Sequence, residues 1–243
     1  MTKPFFTVFL LMSKKILYAF ILVSFAHLLG QIIDNQQIIS ITKPILMPIL
    51  ALYFIYSVGL KTISNILLFI GLLFSQVGDI LLMYVSYDTV FFLAGLGAFL
   101  VTQTLYTASF YHYENENRGF ILQKPYWVLL FLAYLGTLLF ILLPNIPSQF
   151  APAIVIYACV ITIMSVAACN LKTKMENTNW KILFCGVLLF LASDSLIAVN
   201  KFLMPLPYEG FSVMLTYILG QFLIVEGVRR EKEWNDSIVV SDE

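Results

Sequence analysis

Eight apolar stretches follow one another along the chain, most close to the roughly 20 residues that a helix needs to cross a hydrocarbon layer. They lie near 16–33, 44–57, 64–85, 89–111, 125–143, 150–170, 182–203 and 211–228. In lipid, each segment must satisfy its own backbone hydrogen bonds, which favours helices. The expected fold class is therefore all-α, a polytopic integral membrane protein of about eight transmembrane helices. Composition agrees: 60% of residues are hydrophobic and 12% charged, against about 25% charged in soluble domains.

The second stretch is the shortest, and its Pro44 suits the first turn of a helix, where a missing N–H costs nothing. The joints are short and polar, as in 114–118 and Lys172-Thr173-Lys174, leaving no room for a second soluble domain. The expected organisation is a cytoplasmic segment 1–15, a membrane domain 16–228 and a charged cytoplasmic tail 229–243, with 231–243 disordered. No small-residue cleavage site precedes Ile33, so the first stretch is kept as a span rather than a signal peptide. Residues 5–12 are too short to cross, and Met12-Ser13-Lys14-Lys15 has the look of a start site.

Alternating the segments across the bilayer collects the Lys and Arg residues on one side, except for Lys43 and Lys201. By the positive-inside rule the chain is N-in and C-in, and the expected location is the inner (plasma) membrane of a bacterium. The formal net charge of zero offers no basic field for nucleic acid. Cys159, Cys169 and Cys185 lie in apolar runs without ligand spacing, and two histidines, His27 and His112, are too few for a three-histidine metal site. No role is assigned to either histidine.

An ionised carboxylate deep in a span costs about 2.5–3.5 kcal/mol even on lenient scales, so Asp79 and Asp194 are functional candidates. Asp79 lies about 22 Å beyond Ser64, and Asp194 about 20 Å beyond Lys181, at the helical rise. Both spans start on the basic side, so the two are expected at similar depth, facing a shared cavity. Each heads a polar stripe: Ser75, Gln76 and Asp79 share one helical face, and Asp194, Ala198 and Lys201 another. Phe92, Gly95, Phe99, Gln103 and Tyr106 share a face of the fourth span, as do Tyr217 and Gln221 in the eighth. Lys43 and Lys201 stand at the outer surface above the aspartates, where ammonium groups suit a lipid phosphate. The structural alternatives are aspartate–lysine pairs that only tie helices together, glycines that serve close packing, and Gln103 and Tyr106 as bridges between helices. Glu226, with Arg229 and Arg230 three and four residues on, is expected to be a solvated ion pair.

These elements occur in a recognisable order: Thr42-Lys43-Pro44 with Pro48; Gly78-Asp79 within 74–82; the Phe92/Gly95/Phe99/Tyr106 stripe; Ser193-Asp194-Ser195 followed by Asn200-Lys201-Phe202; and Tyr217 with Gly220-Gln221. Together they resemble the YhhN-type lysoplasmalogenase family, from the second span to the eighth. The resemblance implies an eight-span ether hydrolase that cleaves the vinyl ether bond of lysoplasmalogens to a fatty aldehyde and a glycerophospho-alcohol. It implies Asp79 and Asp194 as the catalytic pair, with Ser75, Ser193 and Asn200 joining Lys43, Lys201, Gln103, Tyr106, Tyr217 and Gln221 around a lysophospholipid. Gln103 departs from the histidine common there. The reaction protonates the alkenyl carbon, and water captures the resulting oxocarbenium ion as a hemiacetal, which collapses to aldehyde. One protonated carboxyl and one carboxylate supply that division of labour without a cofactor.

Two other readings compete. A lipid or small-molecule transporter also places charges inside a bundle, although no internal repeat and few mid-span Gly or Pro breaks accompany them here. An intramembrane aspartyl protease is disfavoured by Val77, which stands where its motif has glycine, and by the lack of a Tyr-Asp pair in any span.

Overall fold

A computed structural model of the chain describes residues 3–113 and 117–241, with side chains for 12–113 and 117–238. Part of the polar joint 114–118 lies outside the described residues. All regular structure among the described residues is helical: α1 (Lys3–Ile32), α2 (Gln36–Ser57), α3 (Ile63–Met83), α4 (Thr89–Tyr111), the one-turn α5 (Phe120–Gln123), α6 (Val128–Leu142), α7 (Ala151–Asn170), α8 (Asn177–Phe202) and α9 (Glu209–Ser241). Eight helices are long and apolar enough to cross a membrane, the fifth span running Pro125–Asn145 as α6 with short 3-10 turns at both ends. The protein is a multi-pass, all-helical membrane protein.

The second span is longer than the sequence pattern suggests. The Asn35 carboxamide accepts the Gln37 and Ile38 N–H groups at 3.1 Å each and starts α2 two turns before Pro44. Pro44 and Pro48 thus sit inside the helix; apolar periodicity misses the start because the first turns carry Gln36, Gln37, Ser40, Thr42 and Lys43. At 22 residues the helix is about 33 Å long, enough to cross. Lys43 consequently lies within the helix rather than at its opening.

The last helix also departs from expectation. Instead of a disordered tail after Arg230, α9 continues to Ser241. Arg229 joins Glu226 at 2.7 Å and pairs with Glu233, and Arg230 joins Glu226 at 2.7 Å, a ladder at helical spacing. Glu226 is 7% exposed while Arg230 is exposed, so the ion pair forms with its carboxylate buried and one of its guanidinium groups in the open. Glu231, 3% exposed, accepts hydrogen bonds from Tyr113 Oη at 3.0 Å, Asn179 Nδ2 at 2.9 Å and the Glu176 N–H. The charge that suggested solvent is therefore bonded inside the protein. Burial, then the Glu231 carboxylate, pushes the Tyr113 hydroxyl above its ordinary pKa. Glu176 caps α8, its carboxylate held below the usual range by the N–H groups of Thr178 and Asn179.

The chain divides into two compact units, Met1–Ser109 and Phe110–Glu243. In the first, α1 packs on α2 and α2 on α3. Aromatic rings of α4 cover glycines of α3: a Cβ on Gly78 would stand 2.6 Å from the Phe99 ring, and one on Gly71 at 2.5 Å from the Tyr106 ring. In the second unit α8 and α9 make the most extensive contact. A Cβ on Gly186 would stand 2.6 Å from the Ile224 nitrogen and 2.7 Å from the Gly220 oxygen, so only glycine lets these backbones approach so closely.

Candidate active site

Asp194 projects from α8 toward α6 and α7. The three helices border a partly open cavity of about 40 Å³, lined by Tyr134, Leu138, Leu139 and Leu142 from α6, Ile154, Tyr157, Ala158 and Ile161 from α7, and Leu191, Asp194, Ser195 and Ala198 from α8. That is room for roughly three water molecules. Tyr157 Oη donates to Asp194 Oδ2 at 2.6 Å. Tyr134 and Ser195 share a hydrogen bond through their hydroxyls, and Ser195 Oγ donates to the Leu191 carbonyl at 2.6 Å. The surface these residues turn to the cavity is almost wholly apolar, while the carboxylate and hydroxyls bond one another and the backbone beside it, where low polarity strengthens each polar contact.

Ser193, one residue away, makes its hydrogen bond to the opposite helix. Its hydroxyl donates to the Val213 carbonyl of α9 at 3.1 Å. Tyr217 of α9 meets the Phe190 ring edge-on with centroids 5.9 Å apart, and Gln221 is fully buried. Asn200 Oδ1 accepts the Leu206 N–H at 2.8 Å, closing the turn after α8, and Lys201 is exposed. The cavity wall includes Asp194 and Ala198 but not Lys201, so the third residue of that stripe leaves the group.

In the first unit Asp79 is 2% exposed on the buried face of α3, together with Ser75 and Gln76. Ser75 Oγ donates to Thr102 Oγ1 at 3.3 Å, and Thr102 Oγ1 donates to the Gly71 carbonyl at 3.1 Å. Gln103 and Tyr106 are fully buried on α4. Lys43 is half-buried and lines a wider cleft with Gln36, Gln37, Ile39, Ser40, Leu82 and Met83. Behind it the fully buried His27 bonds Thr42 Oγ1 at 2.8 Å.

Residues 38–228 match the YhhN family. The chain belongs to that family. Over 169 residues it is 31% identical to Lysoplasmalogenase TMEM86A of Bos taurus and 30% identical to Lysoplasmalogenase TMEM86A of Homo sapiens. Each match covers 68% of this chain and 66% of the relative, so the chain spans just under two thirds of the length of these curated relatives. No solved structure matches.

Within this YhhN-family chain, sequence reasoning missed Tyr157 and Tyr134. Each is a hydroxyl in an apolar span, and a buried tyrosine normally finds a partner for its O–H. That signal marks them as worth pairing, but the partners, Asp194 and Ser195, become visible only when α6, α7 and α8 are brought together.

Proposed function

We propose that this chain is a membrane-embedded hydrolase that cleaves the vinyl ether bond of lysoplasmalogen-like lysophospholipids, releasing a fatty aldehyde and a glycerophospho-alcohol. The observation that carries the reading is Asp194, hydrogen-bonded by Tyr157 beside a small, largely aliphatic cavity. Similarity to proteins named lysoplasmalogenase supports it. The chemistry needs a carboxyl that protonates the alkenyl carbon and a carboxylate that takes a proton from water, roles given to Asp79 and Asp194. Lys43, in its cleft with Gln36, Gln37 and Ser40, offers a point charge to the lipid phosphate, and Lys201 a second. Ser75, Gln103 and Tyr106 in the first unit, and Ser193, Asn200, Tyr217 and Gln221 in the second, are the further polar residues assigned to lipid binding. The Lys and Arg distribution supports both ends facing the cytoplasm of a bacterial plasma membrane.

The purified full chain, incubated with a lysoplasmenyl-ethanolamine, is expected to release fatty aldehyde and glycerophosphoethanolamine, read by mass spectrometry. Intact lipid after prolonged incubation overturns the hydrolase. Flux of unchanged lipid through proteoliposomes would then establish the transporter reading.

A further inference from the structure

Gln36, Ser40 and Lys43 stand at i, i+4 and i+7 on α2, one row along the helix surface about 10 Å long. All three line the cleft of about 510 Å³, together with Gln37 and Ile39. Leu82 and Met83, from the last turn of α3, give it an apolar wall. Its volume falls in the range of about 300–1,000 Å³ that suits small-molecule ligands. Gln36 opens α2 and Lys43 stands two turns further in. A lipid that sets its phosphate at Lys43 therefore lays the end of its headgroup along Gln36, Gln37 and Ser40.

The groups along that stretch decide which headgroup fits. Among the described lining residues there is no carboxylate and no aromatic ring, the partners that ammonium groups find in proteins. Asp34, on the turn before α2, is not on the wall and accepts the Gln36 amide at 3.0 Å. The start of a helix carries a partial positive charge and Lys43 a full one, so both oppose a second cation. Neutral hydrogen-bonding groups take the place of an acid. The Gln37 carboxamide donates and accepts, and the Ser40 hydroxyl, which donates to the Gln37 carbonyl at 3.1 Å, keeps lone pairs to accept. Pro44 has no N–H to give the Ser40 carbonyl one turn back, so the helix itself offers that acceptor no i+4 partner.

We propose that this cleft is the headgroup site and that it takes a phosphate followed by hydroxyl groups, as in a phosphoglycerol head, in preference to a phosphate followed by an ammonium group. The proposal rests on the lysolipid reading above and extends its Lys43–phosphate contact along α2.

The test uses the purified full chain and lysolipids that share one saturated alkyl chain, with no vinyl ether to cleave. Their heads are phosphoglycerol, phosphopropanol, phosphoethanolamine and phosphocholine, and binding is read by native mass spectrometry. The propanol head matches glycerol in charge and length but lacks its hydroxyls. The glycerol head is expected to bind about threefold to tenfold more tightly than each of the others, the effect of one or two net hydrogen bonds. Gln37→Leu, at an exposed position, should bring the glycerol and propanol heads within about twofold of each other. Lys43→Gln should weaken both alike. Equal binding of the glycerol and propanol heads by the unaltered chain overturns the proposal, as does a gap that survives in both Gln37→Leu and Ser40→Ala. Tighter binding of the ethanolamine head that Asp34→Asn abolishes also overturns it, by placing an ammonium partner at the rim. Absence of aldehyde from lysoplasmenyl lipid, with the head preference intact, instead overturns the hydrolase reading and leaves the headgroup site standing.

Discussion

Around Asp79 and around Asp194 the same residue type is set in two kinds of packing. Asp79 is 2% exposed, on a face of α3 where the rings of Phe99 and Tyr106 lie against glycines. Asp194 is half-buried and borders a cavity. Hydrogen bonding is complete for the hydroxyls beside Asp194 and only partial beside Asp79, where Ser75 bonds Thr102. Tyr157, Tyr134 and Ser195 beside Asp194 are all hydrogen-bonded, whereas neither amide atom of the buried Gln76, three residues before Asp79, has a hydrogen-bond partner among the described residues. A sealed face leaves little room for an added atom, whereas a face beside a cavity has it, and an unsatisfied amide, at about 1–3 kcal/mol per group, is a cost that function has to justify.

The largest effect is expected from the aspartates. Asp79→Asn and Asp194→Asn preserve shape and remove the titrating group, so each should lower aldehyde release by about 10²–10⁴-fold while helical content and elution in detergent stay unchanged. Glutamate separates the two sites. One added methylene fits the cavity beside Asp194 but overpacks the sealed face of α3, where such insertions cost about 1–3 kcal/mol. Asp194→Glu should retain a measurable fraction of turnover, and Asp79→Glu should melt lower and turn over least. The reverse order would remove the distinction between a closed site and an open one.

Stability tests the same contrast without chemistry. A Cβ on Gly78 would stand 2.6 Å from the Phe99 ring, whereas one on Gly136, in α6, meets nothing within 4 Å. Gly78→Ala is expected to lose about 1–3 kcal/mol, seen as a lower melting temperature in detergent. Gly136→Ala should be neutral or gain up to about 1 kcal/mol from the helical preference of alanine. Equal melting of the two variants would show that the ring contact on α3 yields easily.

Much of this was legible from residues whose cost inside lipid is high. Asp79 and Asp194 stand out because a carboxylate in an apolar run needs a reason, and the spans stand out because apolar length is nearly all that a bilayer demands. Local chemistry hid other features. The start of α2 was obscured by a polar first turn capped by Asn35, and the end of α9 by charges that look solvated yet bond Asn179, Tyr113 and one another. Ser193 and Ser195 are two residues apart, which on a helix of 3.6 residues per turn places them on different faces. One bonds α9 and the other α6. Tyr157 shows in sequence only as a hydroxyl in an apolar span, and nothing local points to its carboxylate partner 37 residues away.

Gln76 gives the smallest effect and the sharpest check on why the two sites differ. Leucine has nearly the volume of glutamine, so Gln76→Leu removes two buried amide atoms that lack hydrogen bonds and adds apolar contact in their place. Relieving that desolvation should raise stability by about 1 kcal/mol, a shift of a few degrees in detergent melting. If the amide is kept for the lipid or a water, the same variant should release aldehyde several-fold more slowly while melting higher, because function is what commonly retains a destabilising polar group. A variant that melts higher at full turnover would make Gln76 a passive feature of α3. One that melts lower would show that the amide is satisfied in the working protein, and the contrast in hydrogen bonding between the Asp79 and Asp194 surroundings would disappear.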